Sequence, residues 1–134
     1  MSSGFTREEA SAILLERINE DTYVCMSTTM PDEHGGNFTE PASSKGYRRA
    51  KVGSVDTSIA AQIANDDYIF IFEALEDCGS FTSLGLSRQK AIGSAIFLMA
   101  DLAAAVTVGA GYVPLIRPHK MVIGLDKEAL EAYA

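Results

Sequence analysis

Few side chains in this sequence are typed and spaced for chemistry. The two imidazoles are His34, inside a glycine-bearing loop, and His119, in the turn Arg117-Pro118-His119-Lys120. A nucleophile needs a base within hydrogen-bond reach, and no G-x-S-x-G elbow presents a serine for either histidine to activate. Asp32, Glu33, His34 and Asn37 gather donor atoms in one loop. They lack the alternating acids of a calcium loop, and one histidine is too few for zinc, so an ordinary solvated turn is expected. Asp66 and Asp67 adjoin, and in a strand they point to opposite faces. Gly109-Ala110-Gly111 opens like a dinucleotide loop, but the third glycine is missing and Pro114 follows where a helix must begin, which predicts a turn between strands. The expectation is a chain that is not an enzyme: catalytic residues none, cofactor-binding residues none, metal ligands none, and no cofactor.

Cys25 and Cys78 lie 53 positions apart, without the close pairs of a zinc site, and each sits in or beside a strand-like run where a thiol serves as a small hydrophobe. The opening MSSGFTREEA has no apolar segment of the export type, so reduced thiols are expected, with a single bridge the alternative. For the same reason Asn37-Phe38-Thr39, formally a glycosylation acceptor, carries no weight. Eighteen acids against eleven bases give a net charge of −7, which argues against nucleic acid as a partner, because neutralising phosphates takes a concentrated field of Lys and Arg. The basic clusters, Arg48, Arg49 and Lys51, and Arg88 with Lys90, read as solvated surface.

The elements that must position these residues are mostly strands. The 134 residues suit a single domain, 1–134, able to bury roughly 68% of its unfolded surface without metal or disulfide staples. From residue 68 the chain reads as short apolar runs bounded by turn residues: YIFIF (68–72), SFTSLGL (80–86), SAIFLM (94–99), AVTV (105–108) and KMVIGL (120–125). The window 91–113 has one charge, Asp101, and nearly the length of a membrane span. Its central acid and its glycines disfavour insertion, and two buried strands joined near Asp101 explain the same letters. Upstream, Thr6 with Glu9 forms a capping box, and Ala10, Ile13, Leu14 and Ile18 make one apolar stripe, predicting an N-terminal helix over 6–19. TYVCMSTTM (22–30) reads as a strand. The loop 31–46 follows, where two prolines and three glycines among sixteen residues rule out a regular element. YRRAKVG (47–53) reads as an exposed edge strand with Tyr47, Arg49 and Lys51 on one side, and SIAAQIAND leans towards an extended segment. Asp126 can cap a short C-terminal helix or tail over 126–134. The fold class is therefore mainly β: a compact antiparallel β-sandwich, Ig-like or jelly-roll-like, over 22–125. Its facing sheets would be filled by Ile69, Ile71, Leu84, Leu86, Ile96, Leu98, Val106, Val108, Val122 and Leu125.

In order, the N-terminal helix, the TYVCMST strand, Glu40-Pro41, Gly46-Tyr47-Arg48, residues 69–74, the run Gly79 to Leu86, Gly93 ahead of SAIFLMADL, AVTVGAG and MVIGLD resemble the small virion structural proteins of tailed bacteriophages, a family known as tail-fibre or structural proteins. The resemblance spans residues 8–126. It departs at Glu73, where a proline is common, at Ser94, which replaces a second glycine, at Tyr112, where an aspartate often stands, and at Pro118-His119, which lengthen the approach to the last strand. It implies a β-sandwich made in the bacterial host cytoplasm by a phage or prophage. Its place would be the virion, its partners other virion proteins of capsid or tail, and its state a homo-oligomer, with no nucleic acid and no membrane. The alternatives are a capsid decoration protein, and a receptor- or glycan-binding fibre domain using the 31–46 loop with exposed Tyr47, Tyr112 or Tyr133.

Overall fold

The computed structural model describes residues 21–124 other than 35 and 59–61, together with residues 9, 12, 15, 16 and 18. The N-terminal helix expected over 6–19 falls mostly outside the described residues and is not among the described elements. The helix or tail at 126–134, Leu125 and Tyr133 also lie outside them.

The described chain is mainly β, with every strand pair antiparallel. Its strands are β1 (Tyr23–Ser27), β2 (Ala50–Lys51), β3 (Val55–Asp56), β4 (Gln62–Asn65), β5 (Ile69–Phe70), β6 (Gly79–Ser87), β7 (Ile96–Val108), β8 (Leu115–Ile116) and β9 (Val122–Gly124). They form a four-stranded sheet ordered β2-β1-β6-β7, a three-stranded sheet β3-β4-β9 and a ribbon β5-β8. One apolar cluster unites them: Val24, Met26, Phe81 and Leu86 from the first sheet, Ile63 from the second, Ile69 from the ribbon and Ile71 and Phe72 just after it, with Ile18 reaching in from the N-terminal side. Phe72 sits edge-on between Tyr47 and Phe81, at ring centroid distances of 5.1 and 6.1 Å.

The centre of the four-stranded sheet is covered on both faces, since Val24, Cys25, Met26 and Ser27 are all buried although they alternate in direction. The 31–46 loop provides the second cover. Thr28 N–H donates to the Thr39 carbonyl (3.0 Å), Thr39 N–H donates to Ser27 Oγ (2.9 Å), and the Phe38 ring lies over Gly85, where a Cβ would meet Phe38 at 3.0 Å. The loop is thus a packed layer, and it contains a regular turn the composition did not suggest, the 3-10 segment Ser43–Lys45. That turn ends at Gly46, whose φ of 90° and whose closeness to the Glu73 carbonyl, which an added Cβ would overlap, leave room for glycine alone.

Three strand expectations change. The predicted strand over 47–53 shrinks to Ala50–Lys51, because Arg49 turns inward. YIFIF keeps Ile69–Phe70 as strand, extended by Ile71 N–H donating to the Pro114 carbonyl. The two strands expected to join near Asp101 are one 13-residue strand, β7. Its pairing with β6 runs Phe81↔Val106 and then Ser83↔Asp101, so residues 102–105 stand opposite Thr82 alone. A bulge absorbs the excess where a turn was expected, since a short run of small residues can leave the ladder without breaking the strand. Thr82 Oγ1, at the bulge, is buried without a hydrogen-bond partner.

Candidate functional site

The surface that stands out is β7. It is the terminal strand of its sheet, and among the described residues it has β6 on one side and no strand on the other. Its sequence, IFLMADLAAAVTV, carries a single charge. A strand apolar in both directions ordinarily belongs to the middle of a covered sheet. Here Phe97, Leu98 and Val106 remain 38%, 37% and 45% exposed, and Ala100, Asp101, Ala104, Ala105 and Thr107 are exposed with them. Three members of the expected core, Leu98, Val106 and Val122, therefore lie at the surface, whereas Ile69, Ile71, Leu86 and Val108 are buried as expected. The reason is position: alternation shows that a residue has a face, and the sheet order decides whether anything covers it.

Local contacts fix both ends of this strand. At its start the guanidinium of Arg88 lies 4.5 Å over the Phe97 ring, and Ser87 Oγ donates to the Ala95 carbonyl (2.8 Å). At its end Cys78 N–H donates to the Val108 carbonyl (2.9 Å) and Ala110 N–H to Asp77 Oδ1 (2.9 Å). Beside it runs an apolar groove of about 190 Å³, bordered by Leu84, Leu98, Leu102, Met121 and Ile123, with Asp101 and Lys120 also at its border.

Two buried polar clamps hold the flanks of this surface. The first is Glu40, Tyr47 and Arg49. Arg49 Nε donates to Glu40 Oε2 (2.9 Å), and Nη2 to Glu40 Oε1 (2.6 Å) and the Ser94 carbonyl (2.7 Å). Nη1 donates to the Gln89 carbonyl (3.1 Å). Glu40 also accepts from Tyr47 Oη and from Gly93 N–H. Met26 N–H donates to Tyr47 Oη (2.9 Å), filling a ladder position that the two-residue strand β2 leaves empty on β1. The Arg49 and Glu40 side chains are 0% and 3% exposed. Arg49 is thus a core residue and not the solvated surface expected for its cluster, and Tyr47, 2% exposed, cannot serve as a receptor-facing tyrosine. Tyr112 is exposed, as that alternative requires. The sequence signal was present in the pairing of Glu40 with Arg49, yet nine positions through a loop is no helical or strand spacing, and nothing local marks it.

Burial by itself would raise the Glu40 carboxyl, but hydrogen bonds from Arg49, Tyr47 and the Gly93 amide prevail and hold it below the ordinary range. Burial, with the Glu40 hydrogen bond, raises the Tyr47 phenol, so the ring stays neutral. Burial likewise pushes the neighbouring Cys25 thiol up to about 12 against the pull of Arg49. Cys25 and Cys78 are both free and buried. What this arrangement does is tie the 31–46 loop to the connection between β6 and β7, and so set where β7 begins.

The second clamp is Asn65, fully buried on β4. Its Nδ2 donates to the carbonyls of Asp67 (2.8 Å) and Arg117 (2.9 Å), and its Oδ1 accepts from Met121 N–H (2.9 Å). It thereby fixes the turn that carries His119, at φ 63°, and feeds β9. His119 Nε2 lies 3.2 Å from Asp56 and 3.7 Å from Asp66 at the surface. Hydrogen bonds from Ser58 lower the Asp56 carboxyl. His34, the other imidazole, meets Glu33 in the open at 3.5 Å, and Asp32 caps the amides of His34 and Gly36 as a solvated turn would. Among the described residues no group of three or more His, Cys, Asp or Glu could hold a metal, and no helix is long and apolar enough to cross a membrane.

No protein-family model matches the chain, and a search of curated proteins finds no match.

Proposed function

We propose that this chain is a non-enzymatic structural protein of a bacteriophage or prophage virion, a β-sandwich that assembles on the tail, fibre or capsid through protein–protein contacts. The observation that carries the assembly reading is β7, an almost purely apolar strand at a sheet edge on which Phe97, Leu98 and Val106 are exposed. Such an edge templates unwanted pairing unless something occupies it, and natural edges are short, charged or covered for that reason. An exposed strand of this composition makes sense where a neighbouring protein provides the cover. The attachment to a virion comes from the resemblance in residues 8–126.

The test is direct. Particles purified from phage lysates or induced lysogens of the source strain are dissociated and their proteins quantified by mass spectrometry. Recovery of this chain in multiple copies per particle supports the reading, and abundance in the lysate with absence from purified particles refutes it.

A further inference from the structure

We propose that the outer face of the β5-β8 ribbon is a saccharide-binding platform, on which Tyr68 and Phe70 take the C–H face of a neutral pyranose while Asp67 and Arg117 hydrogen-bond its hydroxyls. This goes beyond the assembly reading, which rests on β7, and it uses a different surface from the 31–46 loop.

The ribbon sorts its residues by direction. Ile69 and its partner Ile116 pack into or against the core cluster, whereas Phe70 and its partner Leu115 are exposed. Tyr68, two positions before Phe70, shares the outward face. Tyr68 and Phe70 are 50% and 55% exposed, and their rings lie nearly parallel, with centroids 5.7 Å apart and 16° between planes. Two rings side by side in water, with a leucine across the ladder, are more apolar surface than an outward strand face needs.

Polar groups flank the rings. Asp67 Oδ1 accepts the Tyr68 N–H at 2.8 Å, which keeps this carboxylate beside the platform. Arg117 follows Ile116 and stands opposite Tyr68 when the Ile69↔Ile116 register is continued by one residue. Both side chains are exposed. The buried Asn65 amide holds both backbones, since its Nδ2 donates to the carbonyls of Asp67 (2.8 Å) and Arg117 (2.9 Å). Platform and flank are therefore in place before a ligand arrives, and binding orders little of the chain.

Size and charge select the occupant. Two half-exposed rings and Leu115 offer on the order of 300 Å², well under half of the roughly 800 Å² that each partner contributes to a stable protein interface. A small ligand fits that area. A nucleobase would stack on the rings too, but its phosphates would meet Asp66 and Asp67 on a chain of net charge −7. Asp66 already faces His119 at 3.7 Å, and Asp67 with Arg117 gives the flank one charge of each sign, which favours a neutral ligand. A pyranose has one face of C–H groups, whose slight positive charge suits the negative face of an aromatic ring, and a rim of hydroxyls that both donate and accept. The carboxylate accepts from such hydroxyls and the guanidinium donates to them.

The test uses the full chain and a panel of neutral oligosaccharides of glucose, galactose, mannose, N-acetylglucosamine and N-acetylgalactosamine, with sialylated and sulfated oligosaccharides as the charged arm. Binding is followed by nuclear magnetic resonance titration into the millimolar range, after circular dichroism confirms the fold of each variant. The expected result is binding of at least one neutral saccharide, weakened roughly fivefold or more by Tyr68→Ala and by Phe70→Ala and unchanged by Tyr112→Ala, an exposed tyrosine on the turn after β7. No neutral saccharide binding at millimolar concentration, binding of charged saccharides alone, or binding lost through Tyr112→Ala and not through Tyr68→Ala overturns the proposal. Self-association in sedimentation that Phe70→Ala abolishes makes the occupant a second copy and overturns it as well. None of these outcomes bears on recovery of the chain from particles, so the virion reading stands or falls separately.

Discussion

Replacing Arg49 with methionine removes the cation from a pair whose side chains are 0% and 3% exposed. Glu40 then keeps only the Tyr47 hydroxyl and the Gly93 amide as donors, and the carbonyls of Gln89 and Ser94 lose theirs. Breaking a buried pair from one side costs about 3–5 kcal/mol, because the remaining charge stays desolvated. Against a total stability of about 5–15 kcal/mol for a domain, this is a large fraction, and at the lower end the variant is substantially unfolded at room temperature. Urea denaturation followed by far-ultraviolet circular dichroism gives the change. The pH dependence gives a second, sharper readout. In wild type the Glu40 carboxyl is held below its ordinary value of 4.5, so its contribution is fully present above that value and is lost as pH falls through the lower folded value. In Arg49→Met burial prevails and the carboxyl is raised, so the folded state takes up a proton more readily than the unfolded one, and the Glu40 contribution to stability grows as pH falls towards 4.5. The double variant Glu40→Leu with Arg49→Met, which leaves no buried charge, should recover much of the loss. A single variant destabilised by less than about 1 kcal/mol, or one whose pH profile parallels wild type, would refute the account of this clamp.

Asn65→Ala removes three hydrogen bonds at a fully buried position and is expected to cost about 2–3 kcal/mol, with faster hydrogen exchange at the amide of Met121; unchanged exchange there would count against Asn65 as the clamp of that turn. Gly46→Ala combines a left-handed backbone with an overlap of the new methyl group on the Glu73 carbonyl. Thermal unfolding should show a loss of at least about 1–2 kcal/mol, and an unshifted midpoint would mean that the turn rebuilds freely. Cys25, with its thiol pushed up to about 12 and no exposure, should resist iodoacetamide at pH 8 in the folded protein and react on addition of urea, as read by mass spectrometry. Rapid native labelling would show that the core around Tyr47 opens.

The β character of this chain is written in its local letters. The runs that become β1, β6 and β9 alternate or cluster apolar residues between turn formers, and a strand's side chains register their two faces within a few positions. The surface character of the His34 loop and the buried, unpaired state of both cysteines follow from equally local cues. The burial of Arg49 and Tyr47 does not. It depends on Glu40 arriving from a loop and on three carbonyl or amide groups of residues 89–94 converging on the same point, and a charge surrounded by such partners is spelled the same as one left in water. Nor could periodicity tell that IFLMADLAAAVTV would be one bulged strand at the rim of a sheet. Apolarity reports that a strand has faces to cover, and the order β2-β1-β6-β7 decides that, among the described residues, no strand pairs with its outer edge.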